Sequence, residues 1–201
     1  MTNIVFVALL ALLMVSNSSY QGHNKTLVSL SQAEITDLKF LREEEKLARD
    51  VYLYAYDKYQ LHIFDNISRS EQRHMDSVIY LMNKYDIQDS ASTERGVFNN
   101  PDLQKLYSSL TKQVDISSVE ALKAGATIED LDINDINHFT ANSTNADLLN
   151  VYEKLNCGSK NHIRAFTRSL ENNEVTYAPK YISTDDYATI LRGSNGGCGR
   201  N

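Results

Sequence analysis

A chain of 201 residues, 42% hydrophobic and 23% charged, has the makeup of one folded domain with a sizeable core, not of a disordered segment. Its 26 acidic against 20 basic residues give a net charge of −6, which argues against nucleic acid as a partner, because binding phosphate takes a basic face. Two prolines, and little glycine before the tail, allow long uninterrupted helices.

The first 22 residues carry no charged side chain, and Ile4 to Val15 (IVFVALLALLMV) is an unbroken apolar run. It is shorter than the roughly 20 residues that span a bilayer. It suits the core of a secretory signal peptide over residues 1–20, with Ser16, Ser18 and Ser19 as small residues for cleavage. The start lacks the usual Lys or Arg, and an uncleaved anchor or a buried helix is the competing reading. On the signal-peptide reading the mature protein is secreted or extracytoplasmic, with no stable membrane span.

Helix A is expected from about Ser31 to Tyr59, opening on SQAE, a capping box with Glu34 three residues after Ser31. Its apolar stripe runs Leu38, Leu41, Ala48, Tyr52, Ala55, Tyr59. Helix B follows from about Ile63 to Tyr85. Residues 86 to 116 form a long connection with turn residues Gly96, Asn99, Asn100 and Pro101, then a short amphipathic helix, DLQKLYSSLTKQV. Helix C is expected from about Ser117 to Phe139, helix D from about Asn145 to Leu170, and a short last helix after Ser183. No strand pattern appears. The A–B and C–D connections are short, so each pair is an antiparallel hairpin, and the B–C connection of about thirty residues is long enough to cross the bundle. The chain is therefore expected to be all-α: a ferritin-like four-helix bundle over residues 27–172 and a C-terminal tail, 173–201, with a short helix.

Each long helix breaks its stripe with a residue that binds metals. These are Glu45 on A, Glu71 and His74 at i, i+3 on B, Glu129 (with Asp132 at i+3) on C, and His162 on D. Burying bare carboxylates costs several kcal/mol each unless something offsets the charge. Lys and Arg are scarce in the stripes, so divalent ions are the better candidate. Carboxylates with imidazole suit iron, most simply two ions, and manganese or zinc is also compatible. Glu45 lies about 22 Å of helix rise before the A–B turn and Glu71/His74 about 15 Å after it, so the groups meet near mid-bundle. A lone Glu or His in a stripe is more often a boundary or satisfied core residue; the signal is its coincidence on four helices. One residue of helix rotation would substitute Glu44 for Glu45. Tyr52 is a candidate hydrogen-bond donor or redox tyrosine beside the site, with plain core packing as the alternative. Cys157 and Cys198, the only cysteines, are either one disulfide or two thiols.

EKLARDVY (Glu45 to Tyr52) resembles the first ligand helix of rubrerythrin-type di-iron proteins, and EQRH (Glu71 to His74) their Glu-x-x-His. IEDLD (Ile128 to Asp132) resembles their third-helix acidic pair, with the second acid shortened. From about Leu30 to Leu170 the chain resembles a ferritin-like family of unknown function, number 2202 in the domain-of-unknown-function series, on EEEKLARDVY, ALKAGATIEDLDI and GSKNHIRAF. The resemblance implies a di-metal carboxylate site acting on dioxygen or peroxide, with oxidoreductase, ferroxidase or peroxide-related activity. The departure is on helix D, where Ser159-x-x-His162 lacks one carboxylate, leaving Asp132, Glu120 or water to fill its place. The competing expectations are a metal-binding or structural bundle without turnover, holding zinc or manganese, and a secreted interaction module whose acids pair with Arg42, Arg49 or Arg164.

Overall fold

Capping chemistry sets where the helices begin. Ser31 and Glu34 close a reciprocal capping box ahead of α1 (Gln32–Tyr59). Gln60, in the left-handed region at φ 53°, ends α1, and only Leu61 separates it from α2 (His62–Lys84). Asn100 caps α3 (Pro101–Val114), with Pro101 in the first turn, where a missing N–H costs nothing. Ser117, Asn145 and Ser183 cap α4 (Ser118–Asn142), α5 (Ala146–Glu171) and α6 (Thr184–Arg192). The computed structural model describes residues 29–194 and 196–198. The apolar run and the signal-peptide reading of residues 1–20 lie outside them. Among the described residues the fold is all-helical, and no helix is long and apolar enough to cross a membrane.

The four long helices pack as a ring, α1 on α2, α2 on α5, α5 on α4 and α4 on α1. Polar contacts at the ends fix their directions. Ser143, just after α4, donates to Glu34 at the start of α1 (2.7 Å), while Tyr54 and Lys58 near the end of α1 donate to Asp115, just before α4. Lys84 and Tyr85 at the end of α2 donate to Asp147 at the start of α5, each at 2.6 Å. So α1 runs antiparallel to α4, and α2 to α5. The segment 85–117 must then travel the length of the bundle, about 37 Å for a helix the size of α4. That is the crossover expected from its length, and α3 lies within it against α1 and α4.

Buried charge ties the crossover down. Glu43 accepts from the Asn99 and Asn100 amides (2.6 and 2.9 Å). Lys46, 1% exposed, pairs with Asp50 (2.6 Å), donates to the Glu94 and Val97 carbonyls and sits over the Phe98 ring. Asp50 also accepts from the Gly96 amide (2.9 Å). Charged side chains inside the bundle are thus neutralised by each other and by loop backbone.

The segment after α5 is also docked. Asp130, fully buried on α4, accepts from the Tyr177 hydroxyl (2.8 Å) and the Lys180, Tyr181 and Ile182 amides. Cys157 on α5 is bonded to Cys198, their Cα atoms 5.7 Å apart, which selects the disulfide over two thiols. The apolar core itself is in two parts. One is centred on Tyr52, Phe64 and Phe166 and the other on Leu38, Val78, Ile136 and Tyr152. A layer of polar side chains lies between them.

Replacing Asp130 by Ala orphans several buried donors at about 1–3 kcal/mol each. It is expected to lower stability to urea by at least about 3 kcal/mol and to speed amide exchange at 180–182. A loss under about 1 kcal/mol would contradict the docking role.

Candidate metal centre

The polar layer is assembled from all four long helices. The i, i+3 spacing puts Glu71 and His74 on one face of α2, Glu45 reaches in from α1, Glu129 from α4 and His162 from α5. Glu71 sits at the centre. Its Oε2 is 2.8 Å from His74 Nδ1 and its Oε1 is 2.8 Å from His162 Nδ1. Glu45 Oε2 faces His74 Nδ1 at 3.3 Å, and Glu129 Oε2 faces His162 Nδ1 at 3.3 Å. The result is two matching groups that share Glu71: Glu45, Glu71 and His74, and Glu71, Glu129 and His162, the ligand atoms of each within 4.8 Å of one another. The two imidazole rings stack with centroids 5.5 Å apart. Five of the six residues singled out in the sequence therefore converge.

A cation fits these groups on an observation independent of the count. Glu45 Oε1, Glu71 Oε1 and His162 Nδ1 are buried and have no hydrogen-bond partner. His162 Nδ1 and Glu71 Oε1 are only 2.8 Å apart, yet their geometry is not that of a hydrogen bond. Buried polar atoms without a hydrogen-bond partner call for another one, and a metal ion held between the two would satisfy both.

The electrostatics match. Burial raises Glu45 and Glu129 to about 7, against the pull of His74 and His162 respectively. Burial alone would also raise Glu71, but His162 and His74 outweigh it and hold it well below the carboxylate range. Burial disfavours the imidazolium, but Glu71 and Glu129 outweigh this and raise His162 to about 10, and Glu45 and Glu71 likewise hold His74 well above its ordinary value. Without metal, protons do the work of cations in this layer.

Asp132 is the exception among the expected ligands. It stands outside both groups because Ser159, at the helix-D position that lacks a carboxylate, donates to its Oδ2. Burial, with the charges of Glu45 and Glu129, pushes Asp132 well above the usual carboxylate range. Glu44 is as buried as Glu45, but it also lies outside both groups, toward Asp132 and Asp135. Glu45, not Glu44, is therefore the α1 residue that joins the groups. Glu120 is engaged at the surface by Gln113 and Lys123. The three arginines considered as charge partners are engaged elsewhere: Arg42 with Asp89, Arg49 with Asp50, and Arg164 with the Ile190 carbonyl.

Tyr52 is a donor rather than only packing: its hydroxyl is 2.5 Å from Glu129 Oε1, which turns Oε2 toward His162. Gly158 escaped the sequence reading. A Cβ there would lie 2.4 Å from His74 Nε2, so the imidazole occupies space that only glycine leaves. The signal was a Gly inside a long helical pattern, where it costs about 1 kcal/mol and calls for a packing reason.

The family described as "Uncharacterized protein domain (DUF2202)" matches residues 34–194. The chain is similar to the uncharacterized protein MJ0754 of Methanocaldococcus jannaschii, 50% identical over 166 residues that span 82% of this chain and 90% of that protein. Its fold is similar to the crystal structure of the hypothetical protein MJ0754 from Methanococcus jannaschii, with a TM-score of 0.83 and 49% identity over 84% of this chain and 97% of that one. The family match runs through the segment that Asp130 docks and through α6.

Two outcomes test the site. Gly158→Ala is expected to displace His74 and weaken metal retention at least about tenfold, while circular dichroism shows the helices intact; unchanged metal retention would contradict the role of the glycine. The second concerns pH. Glu45 and Glu129 rise from 4.5 to about 7 on folding, so the stability they contribute to metal-free protein is full below about 4.5 and is lost as pH rises through about 7. A metal competes with those same protons, so its stabilising effect grows over the same window. Melting curves should show metal-free protein losing Tm from pH 5 to pH 8, and the gain on adding metal larger at pH 8. A gain larger at pH 5 would contradict this.

Proposed function

The chain belongs to the DUF2202 family, and from that footing we propose that it is a di-metal carboxylate protein with oxidoreductase activity of the ferroxidase or peroxide-related kind. The observation that carries the reading is the position of Glu71, one oxygen toward each histidine, with each histidine backed by its own glutamate. Two iron ions held there would supply one-electron redox chemistry toward dioxygen or peroxide. Manganese suits the same donors.

The chain's own residues do the rest. Glu45 and His74 would hold one ion and Glu129 and His162 the other, with Glu71 common to both groups. Tyr52 fixes the orientation of Glu129 and keeps one of its oxygens occupied. The two apolar clusters on either side keep bulk water from the carboxylates and strengthen their hold on a cation. Two antiparallel hairpins joined by a full-length crossover support a ferritin-like relation. The Cys157–Cys198 disulfide and the apolar run at 4–15 support an extracytoplasmic location.

A second reading, a bundle that binds zinc or manganese without turnover, rests on Ser159. It stands where the four-carboxylate arrangement has a further acid, and it engages Asp132 instead of the metal groups.

Anaerobic loading with ferrous iron and metal analysis by mass spectrometry separate these. The di-metal reading expects about two irons per chain and an absorbance change on an oxygen pulse. Glu71→Ala should lose both ions and Glu45→Ala only one. Tyr52→Phe should weaken metal affinity or activity about 10- to 100-fold. Tightly held zinc with no oxygen response would favour the second reading. Metal content near zero in wild type would overturn both.

A further inference from the structure

The five side chains around Glu71 do not meet solvent equally. Those of Glu45, Glu71 and Glu129 are 1–2% exposed, whereas His74 and His162 retain 11% and 10%. Both imidazoles open onto one cleft of about 540 Å³ between α2 and α5. For His74 the edge away from the glutamates lies on the cleft side, since Nδ1 faces Glu45 and Glu71 while Nε2 lies against Gly158, itself a lining residue.

The cleft differs in character from the rest of the molecule. In a chain of net charge −6, it is lined by Arg73 and Lys154, by hydroxyl and amide side chains and by the two histidines, with no Asp or Glu among the described residues that line it. Arg73 and Lys154 stand exposed at its rim, one on each helix. Its outer wall is the tail at Gly196, Gly197 and Cys198. That wall is held to α5 by the Cys157–Cys198 bond and by Asn161, whose amide donates to the Gly196 carbonyl at 3.1 Å. On the di-metal reading, two divalent ions against three glutamates also leave one uncompensated positive charge at the floor.

We propose that this cleft is a binding site for a small oxyanion or carboxylate, held at the rim by Arg73 and Lys154 and directed at the histidine edge, with the disulfide-held tail as its wall. The floor's charge rests on the di-metal reading; the basic rim and the acid-free lining do not. Opposite charge in a concave, partly enclosed cleft draws such an anion in and is screened less than at an open surface. The site thus holds a small anion against the histidine side of the polar layer.

The test uses the full mature chain, metal-free and cobalt(II)-loaded, with radiolabelled sulfate in equilibrium dialysis and acetate as competitor. About one sulfate per chain is expected, bound more tightly with cobalt present. Arg73→Gln/Lys154→Gln should weaken it about tenfold or more, equivalent to about 1.4 kcal/mol, with cobalt content unchanged. Cys157→Ser/Cys198→Ser should weaken it by a smaller factor by loosening the wall. Equal sulfate binding in wild type and the Arg73/Lys154 variant, or none in either, overturns the proposal. If cobalt is not retained but sulfate still depends on Arg73 and Lys154, the cleft stands and the di-metal reading falls. If cobalt is retained and sulfate is indifferent to both residues, the reverse holds.

Discussion

Three glutamates share one buried layer of this bundle with two histidines, and much of the architecture follows from accommodating them. An isolated carboxylate in such a place costs several kcal/mol. The chain concentrates the charge at one level, between two apolar clusters, instead of spreading it along the seams. Histidines close to Glu71 on two sides offset its charge when protonated and could offer ligand nitrogens to a metal. The helix directions also set the connection: because α1 is antiparallel to α4 and α2 to α5, the link from α2 to α4 has to run the length of the bundle.

The crossover is itself held by buried charge. Glu43, Lys46 and Asp50 face away from the metal groups and spend their hydrogen bonds on loop backbone between Glu94 and Asn100. Three consecutive acids on α1 thus have three environments. Glu43 ties down the crossover, Glu44 turns toward Asp132 and Asp135, and Glu45 joins Glu71 and His74. Consecutive helical positions are rotated by about 100°, so a run of three spans about 200°, a little over half of the helix circumference. A buried stretch such as this one meets different neighbours at each step.

This explains what the sequence made legible. The capping box at Ser31 was readable directly, and the starts expected near Ser117, Asn145 and Ser183 fall where those residues cap their helices, whereas Asn100, read as a turn residue, is the cap of α3. The five central side chains were readable because each interrupts a stripe of period 3.6, and Glu71 and His74 share a face by spacing alone. Other features depend on tertiary proximity. Asp132 lies one turn from Glu129 and has the right chemistry, but its role is decided by Ser159 on another helix, 27 positions away. Lys46 carried no local signal, because nothing in the sequence around it predicts that loop carbonyls come to meet it. Asp130 lies next to Glu129 in sequence and serves the backbone of residues 180–182, which periodicity on α4 does not reveal. Gly158 carried a visible signal, a glycine within a helix, but its reason, the His74 ring, belongs to α2.

The central claim is that Glu71 is shared between two metal ions. The measurement that meets it most directly is anomalous X-ray diffraction at the iron edge, from crystals of the protein soaked anaerobically in ferrous iron. The account predicts two peaks about 3.5–4 Å apart, one between Glu45, Glu71 and His74 and the other between Glu71, Glu129 and His162. A single peak, or peaks only at surface carboxylates, would contradict it.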